Sequence, residues 1–146
     1  MNSLKVKRLK ESAVLPVRAT EGSAGADLCA CLDCTVEILP GETAKIPTGI
    51  AIDIGSCDKV ALVFGRSGLG INHGIAPANC VGVIDSDYRG EIIVGLKNSS
   101  GKPYSIHHGD RIAQLVIMPV FTPKIEEVTE LGETDRGTGG FGSTGR

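Results

Sequence analysis

The densest run of reactive side chains is Asn79-Cys80-Val81-Gly82-Val83-Ile84-Asp85-Ser86-Asp87-Tyr88-Arg89-Gly90-Glu91. An apolar strand runs into two carboxylates and a tyrosine, then turns on glycine into a second apolar stretch. That pattern predicts a β-hairpin with acids at its tip. Paired acids there can act as a general base with a partner, or as hard oxygen ligands for Mg²⁺. The plainer alternative is a solvated turn, where Asp and Ser are ordinary residues. Tyr88, one of two tyrosines in the chain, tips the balance toward a site.

Two glycine-rich elements add anion chemistry. Gly65-Arg66-Ser67-Gly68-Leu69-Gly70 follows an apolar strand and offers a forked cation, a hydroxyl and accessible N–H groups. It reads equally as a surface turn. After Leu131 the chain continues Gly-Glu-Thr-Asp-Arg-Gly-Thr-Gly-Gly-Phe-Gly-Ser-Thr-Gly-Arg, with Phe141 as its only large apolar group. Such a tail cannot bury enough surface to order itself, so a flexible arm is the default. Its donors, Arg136, Ser143, Thr144 and Arg146, surround one aromatic ring and suit closure over a flat ring with phosphates. Gly137–Ser143 has no Lys, no preceding strand and no following helix, which excludes a Walker A loop.

Other candidates fall to blander readings. Cys29, Cys31 and Cys34 lack the fourth ligand zinc requires and the βα context of a redox pair, so they are read as packing residues, reduced as in the cytosol. His107-His108 beside Asp110 has no third ligand at a suitable spacing and is read as a loop. Lys5, Lys7, Arg8 and Lys10 alternate with apolar residues and are read as guarding an edge strand.

The elements that carry these residues are short. Strands are predicted at Leu4–Arg8, Asp27–Cys31, Thr35–Leu39, Thr43–Ile46, Ile50–Ile54, Val60–Phe64, Val81–Asp85, Glu91–Lys97, Tyr104–Ile106 and Ile112–Val120. Breakers such as Pro40-Gly41 and Asn98-Ser99-Ser100-Gly101 separate them. Only Ser67–His73 leaves room for a helix, of one or two turns. The fold class is therefore all-β, a sandwich or barrel. With 146 residues the chain amounts to one domain that buries roughly two-thirds of its unfolded surface. Aromatics are 3% and Trp is absent, so the core must be built from Val, Ile and Leu. A net charge of −2 argues against a protein that coats nucleic acid by charge alone. No apolar run approaches a membrane span, and the N-terminus has no secretory h-region, so a soluble intracellular protein is expected.

Taken in order, five segments resemble the five motifs of the trimeric deoxyuridine triphosphatases. They are Ser23–Leu28, Arg66–Gly70, Gly82–Glu91, Gly109–Leu115 and Arg136–Gly145. The resemblance runs from Ser23 to the C-terminus, and the third and fifth segments are its most specific parts. It implies a homotrimeric β jelly roll, or distorted barrel, over residues 1–131, with a Gly-rich arm over 132–146. The implied reaction is hydrolysis of dUTP to dUMP and pyrophosphate with Mg²⁺ as cofactor, which limits uracil in DNA and supplies dUMP for thymidylate synthesis. The active sites would lie between subunits and the arm would close over them. The implied location is cytoplasmic, or nuclear in a eukaryote.

Carried over by residue, Asp85 resembles the base that orients and deprotonates the attacking water. Tyr88 resembles the ring under the deoxyribose. Asn79, the backbone of Gly82, Val83, Ile84 and Asp85, and Ile93 on the return strand would read the uracil edge, where donor mismatch rejects other bases strongly. Arg66, Ser67 and Gly68 match a phosphate-binding loop, and Gln114 matches a polar residue near the phosphates and the water. Asp27 resembles an acid that reaches Mg²⁺ through water, the phosphates holding the ion directly. In the arm, Phe141 would stack on uracil while Arg136, Gly142, Ser143 and Thr144 close on the phosphates. Three positions depart from the family pattern: Gly65 stands where Pro is usual, Ala26 where a larger residue is usual, and Pro77-Ala78 precede Asn79 in place of the usual glycine. Two other functions stay open: a dCTP deaminase of the same fold, and a nucleotide-gated binding protein without turnover.

Overall fold

The computed structural model describes residues 3–140. Eleven strands and one helix follow one another as β1 (Lys5–Arg8), β2 (Ala26–Cys29), β3 (Val36–Ile38), β4 (Thr43–Pro47), β5 (Ile50–Asp53), β6 (Lys59–Phe64), α1 (Ser67–His73), β7 (Ile75–Pro77), β8 (Gly82–Ile84), β9 (Ile93–Asn98), β10 (Tyr104–Ile106) and β11 (Arg111–Pro119). All-β architecture with one short helix is thus what the chain adopts, and the helix has the bounds read from the sequence. The strands form four antiparallel sheets: β1-β5, β10-β3, β2-β11-β6-β8 and β4-β9-β7. Among the described residues no helix is long and apolar enough to cross a membrane.

One core joins the sheets. Leu28, Ile38, Ile46, Ile50, Ile75, Leu96, Ile106, Ile112 and Leu115 are essentially inaccessible, and no aromatic residue joins them among the described residues. Each such side chain contributes about 1.5–3 kcal/mol by leaving water. The aliphatic core expected from composition is what fills the molecule. Cys29 and Cys31 belong to it and Cys34 is exposed; all three are free thiols. Burial first, and then Asp27, pushes the Cys29 thiol upward, as suits an inert packing residue.

Two sequence expectations need correction. The strand β7 went unseen: three residues ending on proline are too few to show alternation. More important, the two arms around the acids do not pair with each other. β8 lies on β6, with Leu62 opposite Val83, while β9 lies between β4 and β7, with Ile46 opposite Val94. The expected hairpin is instead a crossing from one sheet to another. β8 finds a longer partner in β6, both edges of β9 are taken by β4 and β7, and the facing sides stay apart.

Asn98 closes the far end of β9. It is fully buried, donates Nδ2 to Ile38 O and Lys102 O at 2.8 Å each, and accepts from Ser100 N and Ser100 Oγ at 2.9 and 2.8 Å. Asn98→Ala removes all four bonds and leaves Ile38 O unmatched in the interior, and it is expected to cost about 3 kcal/mol. Urea unfolding at fixed protein concentration measures it; a loss below the error of the fit would refute this account of the turn.

Candidate active site

Because β8 and β9 part, a cleft of about 470 Å³ opens between them. Its walls include Asn79, Gly82, Val83, Ile84, Asp85, Tyr88 and Ile93, so seven of the residues singled out from the sequence come together. Val83, Tyr88 and Ile93 are each about half exposed or more and give the cleft an apolar lining. β8 is the edge of its sheet, which leaves backbone groups free to read a planar ligand.

The acidic turn over this cleft is internally braced. Tyr88 N donates to Asp85 O at 3.2 Å, and Tyr88 Oη donates to Glu91 O at 3.0 Å. The outer end of the ring lies against Gly90, where an added Cβ would sit 2.5 Å from Tyr88 Cζ. Glycine is required there for the tyrosine to hold its place. Behind the turn, the return strand is tied to the β4–β5 connection. Thr48 Oγ1 donates to Ile92 O at 2.6 Å, Ile92 N donates to Ile50 O at 2.9 Å, and Glu91 Oε1 accepts from Gly49 N at 2.7 Å. Gly49 has φ +69°, and a Cβ there would meet Ala13 Cβ and Cys31 Sγ at 2.8 Å. The sequence drew no attention to Thr48 or Glu91 as supports, since their partners lie more than 40 positions away.

A second cleft, of about 360 Å³, gathers Asp27, Arg66, Ser67, Gly68 and Gln114 and shares no lining residue with the first. Asp27 is its hub: Oδ1 accepts from Arg66 Nε at 2.9 Å and Oδ2 from Arg111 Nη1 at 3.3 Å. Arg66 also donates to Arg111 O at 3.2 Å, and Gln114 Nε2 donates to Gly65 O at 2.9 Å. Two guanidiniums against one carboxylate leave a net positive site with forked donors, suited to phosphate. Arg111 was not singled out as a site residue. A β-bulge explains why: the register against β2 shifts between Arg111 and Ala113, which brings Arg111 into the cleft beside Gln114. Strict alternation would have set them on opposite faces, so no pattern in the sequence pointed to it.

As for metal, no group of three His, Cys, Asp or Glu lies together among the described residues. Both Asp27 oxygens already accept from arginine, so its carboxylate fits the water shell of a cation rather than direct ligation. Arg136 is in neither cleft; its Nε donates to Gly139 O at 2.9 Å within an exposed turn. Phe141, Gly142, Ser143 and Thr144 lie outside the described residues.

Asp53, at the end of β5, faces the acidic turn. The Gly55 N–H, then Arg89 and Lys5, hold its carboxyl below the ordinary 3.8. A lowered native value stabilises the fold above the unfolded pKa, and the contribution is lost as pH falls through the lowered value. Carbon-13 titration of the side chain is expected to find Asp53 ionised down to below 3.8, with only part of the shift lost in Arg89→Ala because Gly55 remains. A midpoint above 3.8 in the unmodified chain would contradict it.

Three comparisons with known proteins bear on this arrangement. The family model described as dUTPase matches residues 11–145. A deoxyuridine 5'-triphosphate nucleotidohydrolase of Desulfitobacterium hafniense is 52% identical, covering 99% of each chain. That of Idiomarina loihiensis is 53% identical over 95% of this chain and 92% of its own. Among solved structures, a G164S mutant of the Staphylococcus bacteriophage 80alpha dUTPase with dUpNHpp superimposes at TM-score 0.89 and 30% identity over the whole of both chains. A mutant dUTPase of phage phi11, described with a structural Mg(II) ion, gives TM-score 0.81 at 29% identity over 90% of this chain and 100% of that one. The strand arrangement is thus the jelly roll of those enzymes. With nearly the full length matched by sequence and by fold alike, the chain belongs to the dUTPase family.

Proposed function

We propose that the chain hydrolyses dUTP to dUMP and pyrophosphate. The observation that carries this reading is the meeting of Asp85 and Tyr88 over the β8–β9 cleft in a chain of this family. Asp85 is exposed at the rim, where it can hold a water by hydrogen bond. The water oxygen bonds to the α-phosphorus, the bond from that phosphorus to the bridging oxygen breaks, and pyrophosphate leaves with that oxygen. Asp85 takes the water's proton late, since carboxylate basicity is low; positioning is most of its work.

Asn79, Val83, Ile84 and the return strand at Ile93 read uracil, and Tyr88 under the sugar leaves no room for a 2′-hydroxyl. Arg66, Ser67, Gly68, Gln114 and, added by the structure, Arg111 bind the triphosphate. Mg²⁺ would be held mainly by the substrate phosphates, with Asp27 serving its water shell, and would offset phosphate charge. Because the base-reading cleft and the cationic cleft are separate in one chain, we assign the complete site to a homotrimer in which neighbouring copies contribute one each. The arm over 132–146, with Phe141 on uracil and Arg136, Gly142, Ser143 and Thr144 on phosphate, closes it. A cytoplasmic role in the nucleotide pool follows from that substrate.

The test is Mg²⁺-dependent turnover of dUTP, dTTP, dCTP and UTP, with pyrophosphate and ammonia read separately. Pyrophosphate from dUTP alone is expected; ammonia from dCTP would move the chain to the deaminases. Asp85→Asn is expected to lower kcat about 10²–10⁴-fold. Gly90→Ala, which displaces the Tyr88 ring, is expected to erode the preference for dUTP over UTP about tenfold; an unchanged ratio would remove Tyr88 from sugar selection.

A further inference from the structure

The acidic turn is held from outside by one side chain. Arg89 donates from Nη1 to Ser86 O at 2.7 Å and to Tyr88 O at 3.1 Å, and from Nη2 to Asp53 Oδ1 at 3.0 Å. The two carbonyls bracket Asp87, in the middle of the turn that begins at Asp85. The carboxylate belongs to the last residue of β5, a strand whose Ile50, Ala51 and Ile52 are all in the core. Asp53 is itself fixed. Its Oδ1 accepts from Gly55 N at 2.9 Å, its backbone pairs with Lys5 of β1, and Lys5 Nζ reaches the other oxygen at 3.5 Å.

This grip matters because residues 85–92 cross between sheets without a ladder of their own. β8 ends at Ile84 and β9 begins at Ile93. Glu91 and Ile92 anchor the far side of the crossing, on Gly49 and Ile50. On the near side, the bond from Tyr88 N to Asp85 O is internal to the turn, and Tyr88 Oη reaches Glu91 O within the same crossing, so neither bonds a framework strand directly. Arg89 supplies the outside tie.

We propose that Arg89, seated on Asp53, is a positioning residue for the hydrolysis: it fixes the Asp85–Tyr88 turn on the framework so that the carboxylate and the ring meet substrate in one geometry. This rests on the reading of the chain as a dUTP hydrolase and adds two residues to it. The planar fork is what lets one side chain reach two carbonyls and a carboxylate, and lysine has no such fork. With the Arg89 side chain about half exposed, the ion pair adds little to folding. Its loss should therefore appear in catalysis before it appears in stability. Displacements near 1 Å around a reacting group can cost as much as about a hundredfold in rate.

The experiment is steady-state dUTP hydrolysis by the full chain with Mg²⁺, alongside thermal midpoints. Arg89→Ala is expected to lower kcat about tenfold or more with KM nearly unchanged and the midpoint within a few degrees. Arg89→Lys should restore only part. Asp53→Ala should lower kcat in the same way, and the double variant should be no worse than Arg89→Ala alone. Lys5→Ala, which leaves the Gly55 N–H on Asp53 and the pairing of β1 with β5 in place, should lower kcat far less than Asp53→Ala. A fully active Arg89→Ala overturns the inference, as does a loss confined to KM, which would make Arg89 a direct substrate ligand. So does a loss that Asp53→Ala does not share. If Arg89→Ala fails to fold, Asp53→Ala decides, since it removes the seat and leaves the arginine in place. An unmodified chain that releases no pyrophosphate from dUTP overturns the reading of the reaction itself, and that result is distinct from an active enzyme indifferent to Arg89.

Discussion

Thr48 is 1% exposed, and its hydroxyl has one partner, the carbonyl of Ile92. With the Ile92 N–H bonded to Ile50 and the Glu91 carboxylate on Gly49, this fastens the start of β9 to the β4–β5 connection. Backbone groups spent there are not available to β8, and buried groups of this kind must be satisfied somewhere. The cleft follows from that competition. Were β9 free to zip onto β8, the acids would crown an ordinary hairpin, and the open edge of β8 would be consumed by its own partner strand. A glycine in the left-handed region at position 49, packed against Ala13 and Cys31, is what the connection needs to bring a bare N–H to the Glu91 carboxylate.

The cationic cleft is built by a different device. Regular alternation along β11 would bury or expose whole sets of residues together. The bulge breaks the parity once, so that Ile112, Ala113 and Leu115 stay in the core while Arg111 and Gln114 share a cleft with Asp27. Asp27 then holds both guanidiniums, near enough to grip an anion together and restrained from swinging into solvent. In the proposed trimer this preformed cradle would meet the base-reading cleft of a neighbour. Each copy would thus be incomplete for chemistry while fully folded.

How much of this could be read from the residues alone depends on the range of the interaction. The helix at Ser67–His73 was legible because its boundaries are local, a glycine-rich start and Gly74 at the end. Ten of the strands were found from β-branched runs between breakers, with ends displaced by one or two positions. β7 was too short to leave a pattern. The pairing around the acids was misread because sequence adjacency favours a hairpin, and the competing partners, β6 and β4, lie some 20 and 50 positions upstream. Asp85, Tyr88, Arg66 and Asp27 were singled out by residue type and order, and each lines one of the two clefts. Arg111, Thr48, Glu91, Arg89 and Asp53 act through bulges or through contacts with distant strands, which no local pattern records.

The aliphatic core has a spectroscopic consequence. There is no tryptophan, and the two tyrosines sit outside the sealed interior, Tyr88 over the cleft and Tyr104 against His73 with ring centroids 5.1 Å apart. Tyrosine absorption and emission therefore come from one ring at the cleft and one, Tyr104, packed against the aliphatic core. For most proteins such signals report whether the chain is folded. Here only Tyr104 reports on the core, and Tyr88, half exposed over the β8–β9 cleft, is placed to report on whatever occupies it.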